Sequence, residues 1–176
     1  MPMFKLKRFF LVALFALLPI AGQADVIIKK SHDYDYAVFQ TNRGDFTIRL
    51  ESELAPVHVN TLKSLIDRGF YDGLYFHRVL NNLVQTGDPA LVGRMPERFR
   101  LPLEASHGMS YERGTVAMAR FPHDPNSAST QFFVLKQGAP YMDGQYTVLG
   151  KVTQGMGTVD NLKKADKILR AFIINR

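Results

Sequence analysis

Three long polar side chains stand in stretches that otherwise read as apolar strand. They are Arg78 in Tyr75-Phe76-His77-Arg78-Val79, Gln85 in Leu83-Val84-Gln85-Thr86, and Gln131 at the head of Gln131-Phe132-Phe133-Val134-Leu135. Taken alone, an arginine in such a run packs its stem and sends its head to solvent. A guanidinium and two carboxamides together ask for hydrogen-bond partners, because half-buried polar groups in strands are rarely left unpaired. Phe76, Phe133, Tyr141, Met142 and Tyr146 lie near them in the sequence, and their default place is the core. Other chemistries lack their residues. His32, His58, His77, His107 and His123 show no metal-ligand spacing, and the chain has no cysteine. No Gly-x-Ser-x-Gly elbow marks a nucleophile, and the glycines from Gly114 to Gly157 are scattered rather than gathered between a strand and a helix as a phosphate loop requires. No metal and no cofactor are expected.

The elements that must position these residues are mostly short strands. Tyr36–Thr41 and Asp45–Leu50 alternate around the turn signal Asn42-Arg43-Gly44, which predicts a hairpin. Val59, Leu62, Leu65 and Ile66 recur at helical spacing between Pro56 and Asp67, with Gly69 just beyond the end, which predicts a helix. Phe76–Val79, Leu83–Thr86, Thr115–Ala119, Gln131–Leu135, Thr147–Val152 and Ile168–Ile174 read as further strands. A second helix is expected over Thr158–Ala165. The stretch from Gly87 to Gly114 reads as irregular loop, with at most a brief edge strand near Leu101–Glu104. Many short strands and two helices make a sheet that curls on itself, as a barrel or a sandwich.

The chain has 176 residues, enough for one domain with a real core. Its first segment reads as a secretory signal peptide. Lys5, Lys7 and Arg8 precede the apolar run Phe9–Leu18, and Gly22-Gln23-Ala24 offers small residues for cleavage after Ala24. The run is shorter than the roughly 20 residues a spanning helix needs, so cleavage is expected to leave no stable membrane association. A lead-in over 25–35 then precedes one domain over 36–176. Removing the three leader cations from the formal charge of +6 leaves +3. The remaining basic residues are scattered, without the stripe a nucleic-acid groove requires, and a monomer is expected.

Five blocks in order then resemble the cyclophilin family of peptidyl-prolyl isomerases. They are Phe76-His77-Arg78-Val79; Gln85-x-Gly87-Asp88; Gly114-Thr115-Val116-Ala117-Met118-Ala119-Arg120; Ser127-Ala128-Ser129-Thr130-Gln131-Phe132-Phe133; and Met142-Asp143-Gly144 leading to Val148–Val152. With the leader, the chain is most similar to the periplasmic bacterial branch. The resemblance implies a mainly β fold, a closed eight-stranded antiparallel barrel capped by two α-helices, with the site on its outer face. It implies that Arg78 is catalytic and that Gln85 and Gln131 hydrogen-bond the peptide around a bound proline. Phe133 and Met142 would line the proline pocket, Phe76 would support it from beneath, and the backbone of Arg120 would pair with the substrate. Tyr146 stands where many members have His, and Tyr141 where Trp or Phe is common. The partners implied are proline-containing segments of unfolded or exported polypeptides.

The chain departs from the family pattern in three places, one of them Thr86, which stands where Gly is usual. The connection from Arg78 to Gln85 is one residue shorter than usual, and Asn81-Asn82-Leu83-Val84 supplies no pocket aromatic. Leu83 either takes that place or sits beside it. A residue is also inserted in Phe121-Pro122-His123. A periplasmic peptide-binding chaperone or docking module with weak isomerase activity is the alternative reading.

Overall fold

The structure, a computed structural model, describes residues 34–94, 97–105 and 109–175. The expected signal peptide, its cleavage site and most of the lead-in lie outside the described residues. Eight strands form one sheet: β1 (Asp35–Thr41), β2 (Gly44–Leu50), β3 (Arg78–Val79), β4 (Leu83–Thr86), β5 (Thr115–Met118), β6 (Phe132–Leu135), β7 (Val148–Gln154) and β8 (Ile168–Asn175). Every paired neighbour is antiparallel, in the order β3-β4-β6-β5-β7-β2-β1-β8.

The hairpin forms where turn chemistry predicted it. The Thr41 hydroxyl donates to the Gly44 carbonyl (2.6 Å) and accepts from the Arg43 amide (3.0 Å). Its inward residues Ala37, Phe39, Phe46, Ile48 and Leu50 are all buried, and the directly paired Phe39 and Phe46 stack at 5.2 Å. Phe132 and Tyr71 pack around Phe39 at 5.3 and 5.9 Å, so an aromatic cluster fills the hollow of the sheet. Helix α1 (Pro56–Asp67) covers that core with Val59, Leu62, Leu65 and Ile66. Its first turn has no side-chain cap of its own; the distant Glu104 carboxylate accepts the Val57 and His58 amides instead (3.0 and 2.9 Å).

Three expectations are corrected. The barrel is not closed: the sheet curls into a half-barrel whose edge strands β3 and β8 share no ladder. Among the described residues the edges meet through a bridge between Tyr75 and Lys167 and bonds such as Phe76 N–H to Asp166 O (2.9 Å) and Ala165 N–H to Phe76 O (3.0 Å). The segment before Arg78 makes these bonds, and β3 itself is two residues long, too short to run alongside β8. For the same reason the Phe76–Val79 strand shrinks to Arg78–Val79. Helix α2 spans Met156–Asn161 rather than Thr158–Ala165. It starts from Gly155, whose positive φ of 82° brings it against Asp45 and Phe46, where a Cβ would collide. It ends early because Leu162 turns extended and the Asp166 carboxylate takes the Lys163 amide (2.7 Å). Near Leu101, where at most a brief edge strand is expected, stands one isolated bridge from Leu101 to Ala128.

Candidate active site

Residues directly opposite one another in an antiparallel sheet project to the same side. The register therefore builds a row from the sequence: Arg78 faces Gln85, Gln85 faces Phe133, and Phe133 faces Ala117. Leu83 and Leu135, two positions along, share that outer face. Arg78 Nη1 donates to Gln85 Oε1 (3.3 Å), and Gln85 Nε2 donates to Gln131 Oε1 (2.8 Å). The guanidinium thus stands at the end of an oriented chain of carboxamides. It is exposed, while both glutamines are half-buried.

Gly87 lets Gln131 come this close. Its φ is +96°, and a Cβ there would collide with the Thr130 carbonyl and crowd the Cα of Gln131. Thr130 Oγ1 donates to the Gly87 carbonyl (2.8 Å), fixing the crossing.

Beside the row lies an apolar cluster separate from the inner core: Leu83, Phe133, Met142, Leu135, Val148, Ala139 and Tyr111, with Tyr146 packed against it. The Tyr146 ring meets Phe133 edge-on at 5.4 Å and 87°. The Arg120 guanidinium lies 4.7 Å from the Tyr146 ring centre and donates through Nε to the Gln145 carbonyl (2.8 Å). Leu83, Phe133 and Met142 are only 6, 3 and 8 % exposed, so they form a nearly closed apolar floor. The open space nearby is lined by other residues. A cavity of about 470 Å³ is bounded by Gln85, Gln131, Ala119 and Arg120 on the groove side and by Pro89, Phe99, Arg100 and Phe121 opposite.

The structure therefore brings Arg78, Gln85, Gln131, Leu83, Phe133, Met142, Tyr146 and Arg120 onto one surface. Phe76 is fully buried in the inner core, 6.5 Å from Phe46, and packs beneath the row. One expected site residue falls elsewhere. Tyr141, 69 % exposed, stands outside the apolar cluster. Leu83 does belong to the cluster, and beside Phe133 the cluster holds a second aromatic ring, that of Tyr111, a residue that sequence reasoning left in an irregular loop. Nothing in its neighbours Ser110 and Glu112 signals that role.

Burial holds the imidazole of His77, between Phe76 and Arg78, below its ordinary pKa, against the pull of the Asp88 carboxylate. The arrangement offers directed N–H donors, an apolar floor and no nucleophile among these residues. It is suited to gripping a peptide and stabilising a distorted form of it.

A curled antiparallel half-barrel with two helices sets the fold class, and comparison with known proteins names the family. The model for the cyclophilin type peptidyl-prolyl cis-trans isomerase/CLD family matches residues 36–174. A probable peptidyl-prolyl cis-trans isomerase of Brucella suis is 38 % identical over 160 residues, covering 77 % of this chain and 81 % of the relative. A Helicobacter pylori peptidyl-prolyl cis-trans isomerase is 35 % identical over 137 residues, covering 76 and 83 %. Among solved structures, a cyclophilin type peptidyl-prolyl cis-trans isomerase of Cryptosporidium parvum superposes with a TM-score of 0.73 at 24 % identity, over 81 % of this chain and 99 % of that one. The same protein in the presence of the dipeptide Ala-Pro gives 0.72 at 25 % identity, over 80 and 99 %. The chain belongs to the cyclophilin-type peptidyl-prolyl cis-trans isomerases, and its activity is isomerisation of the peptidyl-prolyl bond.

Proposed function

We propose that this isomerase accelerates X-Pro rotation in exported polypeptides, with Arg78 stabilising the twisted amide beside an apolar proline site. Resonance gives the bond its barrier of roughly 18 to 20 kcal/mol, and uncatalysed rotation takes tens of seconds or longer. Twisting breaks the conjugation and returns a lone pair to the prolyl nitrogen. A guanidinium beside that nitrogen binds the twisted form better than either planar form, which is the condition for catalysis.

An acceleration of ~10⁴-fold requires about 5.5 kcal/mol of differential stabilisation. One charge-assisted hydrogen bond supplies roughly 1.5 to 3 kcal/mol, so Arg78 does not suffice alone. The remainder comes from seating the proline ring on Leu83, Phe133, Met142 and Tyr146 while Gln85, Gln131 and the Arg120 backbone fix the flanking peptide. The observation that carries this reading is the bonded chain from Arg78 through Gln85 to Gln131, set along the rim of the apolar floor. It gives the guanidinium a fixed direction that a solvent-seeking arginine would lack.

Periplasmic action is supported by the leader with Lys5, Lys7 and Arg8, the apolar run behind them and the small residues before Asp25. A mature N-terminus at Asp25 in the periplasmic fraction is the expected mass-spectrometric result. The catalytic test is a protease-coupled proline-isomer assay. Arg78→Ala should lose most of the activity with its fold intact, and Arg78→Lys should recover it only in part, because an ammonium lacks the planar fork. Wild-type turnover by Arg78→Ala would overturn the assignment.

A further inference from the structure

We propose that Tyr111 is a positioning residue for the proline site, holding the loop Ala139–Tyr146 so that Met142 and Tyr146 meet the substrate; this rests on the groove reading above. Tyr111 is 1 % exposed and packs in the apolar cluster with Leu83, Phe133 and Met142. The connection from Arg78 to Gln85, Val79-Leu80-Asn81-Asn82-Leu83-Val84, brings no aromatic ring to this surface. Tyr111 brings one from the other side.

Its polar atoms bind the loop at three points. At the start, the Ala139 amide donates to the Tyr111 carbonyl (2.7 Å). In the middle, the Tyr111 amide donates to Asp143 Oδ1 (3.0 Å). At the end, the Tyr111 hydroxyl donates to the Tyr146 carbonyl (2.5 Å).

The loop's own bonds are local. Met142 N–H reaches Ala139 O (2.9 Å), Gln145 N–H reaches Met142 O (3.0 Å), and Gln145 Nε2 reaches Tyr141 O (2.5 Å). They set the loop's shape around the single turn Pro140–Met142, and a shape alone does not fix its place on the sheet. Tyr111 fixes it. The effect extends across the groove, because the Gln145 carbonyl holds Arg120 Nε and the Tyr146 ring lies between Arg120 and Phe133. Burial pushes the Tyr111 phenol up to about 12, so its hydroxyl remains a donor throughout the working range.

The test is Tyr111→Phe, which keeps the ring and removes the donor. With a peptide carrying one Ala-Pro bond, KM should rise about three- to tenfold, the scale of one lost hydrogen bond, while kcat stays within about twofold, since no group touching the rotating bond has changed. In methyl-labelled protein the Met142 methyl resonance should move, a change that a uniform loss of stability would not cause. Asp143→Ala, which releases the middle tether from an exposed position, should raise KM in the same direction by about twofold, and it decides the matter if Tyr111→Phe does not fold. Unchanged KM and an unmoved Met142 methyl in the folded variants would overturn the positioning role. Arg78→Ala measured alongside separates the two readings. If it too retains full turnover, the groove reading fails; if it is inactive while Tyr111→Phe matches wild type, only the role of Tyr111 fails.

Discussion

Two rows of side chains cross the same four strands one residue apart. One runs Arg78, Gln85, Phe133, Ala117; the other runs Val79, Val84, Val134, Val116. The backbone that carries them is shared, yet the second row packs into the main core while the first looks outward. The inner row is satisfied by burial alone. Polar groups in the outer row pair with one another and leave donors directed along the groove. The difference teaches that in this sheet stability and chemistry are divided by the alternation of a strand, so a substitution can be aimed at either one.

The largest effect should come from the inner side. Phe132→Ala removes a ring wedged against Phe39 and Tyr71 and should cost about 3 to 5 kcal/mol of stability in denaturant unfolding, while turnover per folded molecule stays near wild type. Arg78→Ala should show the reverse: unchanged unfolding, and turnover reduced by about ten- to a hundredfold, the kinetic equivalent of roughly 1.5 to 3 kcal/mol. A loss of both properties in either variant would break the division. Gln85→Ala sharpens it. It frees Arg78 and leaves Gln131 without its donor, so activity should drop about fivefold, near the scale of a single neutral hydrogen bond.

The smallest effect concerns pH and lies away from both rows. His58 is buried at the start of α1, with Nδ1 2.6 Å from Glu104 Oε2 and Nε2 buried without a partner. Burial lowers its pKa, only partly offset by the Glu104 carboxylate. Burial alone would raise the Glu104 carboxyl, but the amides of His58 and Val57 and the imidazole hold it below its ordinary value. The folded pair is therefore a neutral imidazole donating to a carboxylate. Unfolded His58 takes up a proton below about pH 6.5 that the folded form resists, so stability should fall as pH drops through that range, and further through the carboxylate range as Glu104 protonates. The slope from His58 is at most about 1.4 kcal/mol per pH unit. Thermal unfolding from pH 7.5 to 5 should follow this course in the wild type and be flatter in His58→Thr. Equal slopes would remove His58 from the account.

Local rules made much of this protein legible. Turn chemistry at Asn42–Gly44, the period of Val59 to Ile66 and the apolar run around Phe132 are properties of neighbours in sequence, and they gave the hairpin, α1 and the strand β6 in place. The ordered blocks around Arg78, Gln85, Gln131 and Phe133 identified the surface that the register then assembled. Pairings between distant residues were decided only by the tertiary structure. Asp166 binds Asn42 and Arg43 across more than 120 residues and ends α2 early; the two-residue β3 leaves the sheet unclosed beside β8. Tyr111 is the clearest case. A tyrosine before Glu112-Arg113-Gly114 carries no periodicity of its own, because its role depends on a loop some 30 residues away that comes to rest against it.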